Sequence, residues 1–266
     1  MTTTDPTEAV VRRLRAAGCV FAEDEAGLLV DAARTPEDLD LMTRRRVDGE
    51  PLEVILGWAE FCGLRIAVDP GVFVPRRRTT YLVEQAVAVT AGSAVVVDLC
   101  CGTGAIGAAV AARVPGIGLY AADIEPAAVR CARRNLEPIG GRVHEGDLFD
   151  ALPAELRGTV GVLIVNAPYV PTDEIAMMPP EARDHEPRVA LDGGFDGVEV
   201  HRRVAEQATR WLAPGGHLLI ETGESQAALT ATAMSAHGLE AHVSTSDEWY
   251  CTVAIGRRPQ DCQPKG

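Results

Sequence analysis

No stretch of this chain approaches the roughly eighteen uninterrupted apolar residues that a membrane-spanning helix needs, so nothing in it is expected to cross a membrane. Basic surface is also scarce. A net charge of -13 and a pI of about 4.9 argue against a nucleic-acid partner, because neutralising phosphates takes a basic face. The runs Arg44-Arg45-Arg46 and Arg76-Arg77-Arg78 are the local exceptions. Metal-ligand spacing is missing: His144, His185, His201, His217, His237 and His242 are scattered, and no metal is expected. The seven cysteines are odd in number and lack framework spacing, which fits a reducing cytoplasm. Residues 1–20 carry Asp5, Glu8 and several arginines without an apolar segment, which predicts no signal peptide. No internal repeat or low-complexity tract is present.

What is present suffices for a full core. A chain of 266 residues with 47% hydrophobic content suggests one large domain and a small one. Helical spacing runs from Pro6 to Gly18 and from Glu23 to Ala33. Thr35-Pro36-Glu37-Asp38 supplies an N-cap, an early proline and an acidic first turn for a third helix, to about Val47. Trp58–Phe61 and Leu64–Val68 alternate around Gly63 as a hairpin would. Beyond residue 76, strands and helices alternate, which predicts a parallel sheet covered on both faces. The domains read as 1–57 helical, 58–75 a hairpin linker and 76–256 catalytic, with 257–266 a tail.

The segment Val95-Val96-Val97-Asp98-Leu99-Cys100-Cys101-Gly102-Thr103-Gly104-Ala105-Ile106-Gly107 reads as a buried strand, a glycine turn and a small-residue helix. Gly102 and Gly104 allow close backbone approach to a ligand, and the helix aims its amide end at it. Gly102 to Gly107 also satisfies the dinucleotide fingerprint. Asp123, at the end of the next apolar run, can hold a ribose diol in either reading. Asp98 before the turn suits the ammonium of a methionine moiety better than a pyrophosphate. No hydride-chemistry constellation follows. Asp147 and Leu148 close a third strand, where a carboxylate can accept from an adenine amino group and an apolar side chain can cover the ring; a helix-capping aspartate is the plainer alternative. Cys100 and Cys101 read as small apolar fillers.

After the apolar run Val160–Val165 comes Asn166-Ala167-Pro168-Tyr169, at the strand end where open α/β sheets place ligands. The Asn166 amide oxygen and the carbonyl of Ala167 can accept the two hydrogens of a planar –NH2 group while Tyr169 covers its face. Such a grip favours a localised lone pair on an otherwise poor nucleophile. A strand-to-loop turn is the bland alternative, since Asn and Pro favour turns. The strand-end tetrapeptide together with the upstream turn suggests S-adenosylmethionine rather than a nicotinamide cofactor.

These residues resemble a class I methyltransferase, whose fold is a Rossmann-like, mostly parallel sheet with an antiparallel last strand. Flanking blocks narrow the likeness: Arg46–Gly57, Phe61-Cys62-Gly63-Leu64, Val72-Phe73-Val74-Pro75-Arg76 and Glu186–Gly197 are similar to the release-factor glutamine methyltransferase family, in order, from about residue 40 to 255. The resemblance implies methyl transfer from S-adenosylmethionine to the side-chain N5 of a glutamine in a release factor or ribosomal protein. It implies cofactor contacts at Asp98, Cys100, Cys101, Gly102, Thr103, Gly104, Asp123, Asp147, Leu148 and Asn166. It also implies acceptor contacts at Phe73, Pro75, Arg76, Asn166 and Tyr169.

The departures bear on the acceptor. Cys100 stands where the family carries glycine, and Ala167 replaces the first of two prolines. After the family-like Pro75-Arg76 pair the family has proline and acids, whereas this chain completes the run Arg76-Arg77-Arg78 with two more arginines, predicting a mouth that repels basic and attracts acidic substrates. A solvated helix start is the alternative. A small-molecule amide or amine methyltransferase stays open as a second class, and adenine-N6 methylation of nucleic acid is a poorer third given the charge. Asp184-His185-Glu186 reads as a surface cluster within a long, polar recognition loop, Pro171 to Gly197.

Overall fold

The computed structural model describes residues 5–260. Four helices lead the chain: α1 (Pro6–Ala16), α2 (Ala22–Ala32), α3 (Pro36–Val47) and α4 (Leu52–Leu56). Local chemistry explains their starts. The Asp5 carboxylate accepts the Thr7 N–H, and the Thr35 hydroxyl accepts the Asp38 N–H, each satisfying an amide left over at a helix N-terminus. The short α4 was not anticipated; it ends at Gly57, whose φ of 77° provides the left-handed exit. Val10, Leu14, Ala22, Ala26, Leu29 and Ile55 pack as a core of their own between these helices. Strands β1 (Trp58–Phe61) and β2 (Leu64–Ala67) then pair antiparallel, Trp58 opposite Ala67.

The main sheet contains β3 (Val95–Leu99), β4 (Gly118–Asp123), β5 (Arg142–Glu145), β6 (Val160–Val165), β7 (Leu212–Thr222), β8 (Glu240–Ser246) and β9 (Cys251–Arg257). Its order is β5-β4-β3-β6-β7-β9-β8. The first five are parallel, and β9 runs antiparallel to both β7 and β8. Side chains alternate across the sheet as a period of two requires. Val96, Val162 and Ile164 join the cluster under α5 (Thr80–Val89), α6 (Ala105–Arg113) and α7 (Pro126–Leu136), with Leu82, Ile106 and Leu136. Val97, Leu163 and Val165 face the other way, toward α9 (Glu199–Trp211) and α10 (Ala227–Ala236), against Val204, Ala208 and Met234. The central strands β3 and β6 are buried on both faces and read as continuous Val/Leu/Ile runs, whereas the edge strands β5 and β8 are largely exposed.

This topology places the site. From β3 the chain moves outward to β4 and β5, then returns to the opposite flank for β6 and β7. A crevice opens where that reversal happens, above the carboxyl ends of β3, β4 and β6. The segment between β6 and α9 is not bare loop: it holds a short helix, α8 (Pro180–His185), flanked by two 3-10 turns.

Candidate active site

A cavity of about 510 Å³ occupies the crevice. Its floor is the loop after β3. Cys100 and Gly102 adopt left-handed φ values of 56° and 54°, the first strained for a residue with a β-carbon. Between β4 and this loop, Asp123 acts as a brace: its Oδ2 accepts the Gly102 N–H at 2.8 Å and its Oδ1 the Glu125 N–H at 2.9 Å. Burial raises the Asp123 carboxyl above the ordinary range, with those amides opposing the shift. A carboxylate offers about four acceptor positions, so both oxygens keep capacity for a diol. Leu148, buried and at a φ of 49°, lines the wall beyond β5 together with Asp147. The Asp147 carboxylate also accepts from Arg203 of α9 at 2.6 Å.

Cys100, Cys101, Gly102, Thr103, Asp123, Asp147, Leu148 and Asn166 all line this cavity. Two expected cofactor residues do not. Asp98 is fully buried with Oδ2 accepting the Gly107 N–H of α6 at 2.9 Å, and its Oδ1 has no partner. Burial pushes its carboxyl up to about 8. It secures the strand to the helix that follows and does not line the cavity. Gly104 sits at a φ of 77° against α7; a β-carbon there would come within 2.8 Å of Leu136. Its requirement is packing.

The acceptor side is built around the tetrapeptide. Asn166, Ala167, Pro168 and Tyr169 line the same cavity as the β3 loop. Among the described residues, no protein hydrogen bond engages the Asn166 side chain, which leaves its amide for a ligand. The Tyr169 carbonyl accepts from Gln226 Nε2 at 3.0 Å. Val170 pairs back to the far end of the long loop, its N–H to the Leu191 carbonyl at 3.0 Å. Gly193 and Gly197 pack directly behind: added β-carbons would lie 2.7 Å from Tyr169 Cα and 2.4 Å from its carbonyl oxygen. These glycines were legible only as part of a family block, without a role.

The arginine run divides three ways. Arg76 Nη2 donates to Glu186 Oε1 at 2.6 Å and its guanidinium lies 5.0 Å from the Phe73 ring centroid. Arg78 turns to Tyr169 and Glu221, whereas Arg77 lies over Trp249 at 5.9 Å. Phe73, Pro75, Arg76 and Arg78 line the cavity and Arg77 does not. Each lining arginine thus meets a buried carboxylate, so the mouth carries less free positive charge than the sequence alone suggests. Glu186, read from sequence as surface, is buried, its Oε1 also accepting the Val74 N–H. Burial raises its carboxyl, and Arg76 works against the shift. Glu221 was not singled out, although a charged residue ending an apolar strand was a readable signal.

The cavity fits S-adenosylmethionine by its donor set. A braced carboxylate at the β4 end suits a ribose diol, an apolar wall at Leu148 suits a purine face, and the open backbone at Gly102 admits close approach. Its size lies in the range of roughly 300–1,000 Å³ usual for small-molecule sites.

Comparison with known proteins agrees with this fit. Residues 63–178 match the family model of the methyltransferase small domain. The release factor glutamine methyltransferase of Geobacter sulfurreducens is 39% identical over 211 residues, covering 77% of this chain and 73% of that protein. The 4-amino-L-phenylalanine/4-methylamino-L-phenylalanine methyltransferase of Streptomyces pristinaespiralis is 37% identical over 271 residues, covering 98% of this chain and 91% of that protein. Among solved structures, a methyltransferase from Pyrococcus furiosus superposes with a TM-score of 0.57 at 18% identity, covering 74% of this chain and 90% of that one, which supports the fold. No helix among the described residues is long and apolar enough to cross a membrane. An S-adenosylmethionine-dependent methyltransferase by fold and by relatives, the chain belongs to the release factor glutamine methyltransferase family.

Proposed function

We propose that the chain methylates the side-chain N5 of a glutamine in a release factor, acting in the cytoplasm, with residues 1–57 as the recognition unit. The observation that carries this reading is that Asn166 to Tyr169 face the same cavity as the β3 loop and Asp123. The cofactor supplies an already activated methyl group. The chain's own residues then position the acceptor: the Asn166 side-chain oxygen and the Ala167 carbonyl accept the two N–H bonds of the amide, and Tyr169 covers it. Positioning of this kind contributes roughly 7–11 kcal/mol. No base is needed before attack, because the alkylated nitrogen sheds its proton readily. The Tyr169 ring also suits a neighbouring cationic centre.

A second reading rests on a specific observation. One of the relatives that span nearly the whole chain is named for an amino-acid amine acceptor, and Ala167 and Arg78 lie in the acceptor half of the cavity. Labelled S-adenosylmethionine separates the two. Incubated with a release factor or with 4-amino-L-phenylalanine, the enzyme is expected to place label on the release factor, at a glutamine that mass spectrometry identifies. Label on the amino acid alone overturns the glutamine assignment.

A further inference from the structure

Tyr169 is held by more than its own backbone. Val165 of β6 pairs with Ile220 of β7, so the start of the tetrapeptide and Glu221, the penultimate residue of β7, stand at one level. There the Tyr169 hydroxyl accepts from Arg78 Nη2 at 2.5 Å and donates to Glu221 Oε1 at 3.3 Å. Arg78 Nε closes the ring of contacts onto the same Glu221 oxygen at 3.4 Å, and its guanidinium lies 5.9 Å from the Tyr169 ring centroid. A phenol has one proton to give, and here it has both a cationic donor and an anionic acceptor. The hydroxyl is therefore fixed in both roles, which fixes the ring. Glu221 is 2% exposed, so this carboxylate needs a nearby cation; among the described residues Arg78, 48% exposed, forms its ion pair. Burial raises both the Tyr169 phenol and the Glu221 carboxyl, which keeps the phenol protonated and able to donate.

We propose that Arg78 and Glu221 are positioning residues that hold the Tyr169 ring against the methyl acceptor. The proposal rests on the reading that Tyr169 covers the acceptor nitrogen. Arg78 is then an internal brace, with its partner supplied by β7. A guanidinium fork suits the task, because it reaches the phenol and the carboxylate from one plane; a lysine ammonium is a single point charge.

Two measurements test this. In the first, Arg78→Gln is compared with wild type in native and Tyr169→Phe backgrounds, using whichever acceptor takes label. Misplacing an orienting group costs on the order of 10–100-fold in rate. Arg78→Gln is expected to lower kcat by that factor with S-adenosylmethionine affinity unchanged, and to cost little more once the Tyr169 hydroxyl is gone. Arg78→Lys should recover part of the loss. Equal losses in both backgrounds overturn the proposal, because Arg78 would then act without the hydroxyl. The second measurement needs no activity. With 3-fluorotyrosine in place of the four tyrosines, the fluorine resonance missing from Tyr169→Phe belongs to residue 169. It should shift and broaden in Arg78→Gln or, where that variant aggregates, in Glu221→Gln. An unmoved resonance overturns the brace. A moved resonance without label on glutamine leaves the brace standing and removes the glutamine assignment instead.

Discussion

The two halves of the cavity are built on different plans. The cofactor half consists of short turns that follow β3, β4 and β5: Asp123 holds Gly102 and Glu125, left-handed residues shape the floor, and a long-range contact, Arg203 to Asp147, reaches in from α9. The acceptor half hangs on contacts between residues far apart in the chain. Arg76 reaches Glu186, Arg78 reaches Tyr169 and Glu221, and Arg46 in α3 reaches Glu181 beside the mouth at 3.4 Å. Binding one constant cofactor calls for a fixed local frame, whereas the acceptor surface is assembled from several elements and can change piecemeal. The departures from the family pattern match that division unevenly: Ala167 and Arg78 fall in the acceptor half, and only Cys100 in the cofactor half.

The comparison predicts separable failures, and the largest should come from Asn166. Replacing it with alanine removes an acceptor aimed at the reacting nitrogen, and losing one such preorganised group typically costs about 10²–10³-fold in kcat. Calorimetry should show S-adenosylmethionine binding nearly intact. A variant that keeps most of its turnover at saturating acceptor would refute the amide grip and merge the two halves.

Asp123→Ala should do the reverse. Loss of a charged hydrogen-bond partner costs roughly 1.5–3 kcal/mol, read as weaker cofactor affinity by calorimetry. Because Asp123 also braces two loop amides, Asp123→Asn separates ligand contact from loop order. Unchanged affinity in the alanine variant would remove Asp123 from the cofactor.

Which half could be read from the chain follows from the same plan. Local signals announced β3 with its turn, the Asp123 strand end and the Asn166 tetrapeptide, because each is a run of neighbouring residues with one conformational demand. Strand β6 has the bounds its apolar run suggests. Ion pairs over long sequence separation left no local trace. Glu186 looked like one acid among several in a polar loop, and its burial depends on Arg76, more than a hundred positions earlier. Asp98 is a different case: its place before the turn suggests a ligand, and strand alternation aims it at the Gly107 amide.

That buried aspartate should sharpen the cofactor half through pH. Its folded value of about 8 lies far above the ordinary 3.8, so the folded chain carries an extra proton between those limits. Stability contributed by this group is therefore full at low pH and lost as pH rises toward the folded value. Asp98→Asn keeps an acceptor for Gly107 and removes the titration. The fall in Tm between about pH 5 and about pH 8 should be smaller in the variant than in wild type. Coincident slopes would show that Asp98 does not titrate in that window.

The smallest effect is expected from Ala167→Pro, which supplies the first of the two prolines in the pattern that the tetrapeptide resembles. Ala167 is 2% exposed within the strand-end segment, so the ring must fit a packed site. Where the backbone already suits proline, the gain comes from restricting the unfolded chain and amounts to about 0.4–1 kcal/mol. The Ala167 carbonyl, proposed to accept from the substrate amide, is kept. If the acceptor slot still serves glutamine, Tm should rise slightly, and kcat on a release factor should hold or improve. A sharp loss of turnover with an intact fold would mean that alanine was needed to admit a different acceptor. Thermal melts paired with rates on a release factor and on 4-amino-L-phenylalanine distinguish these outcomes, since an arylamine slot closed by proline should lose the second activity and spare the first.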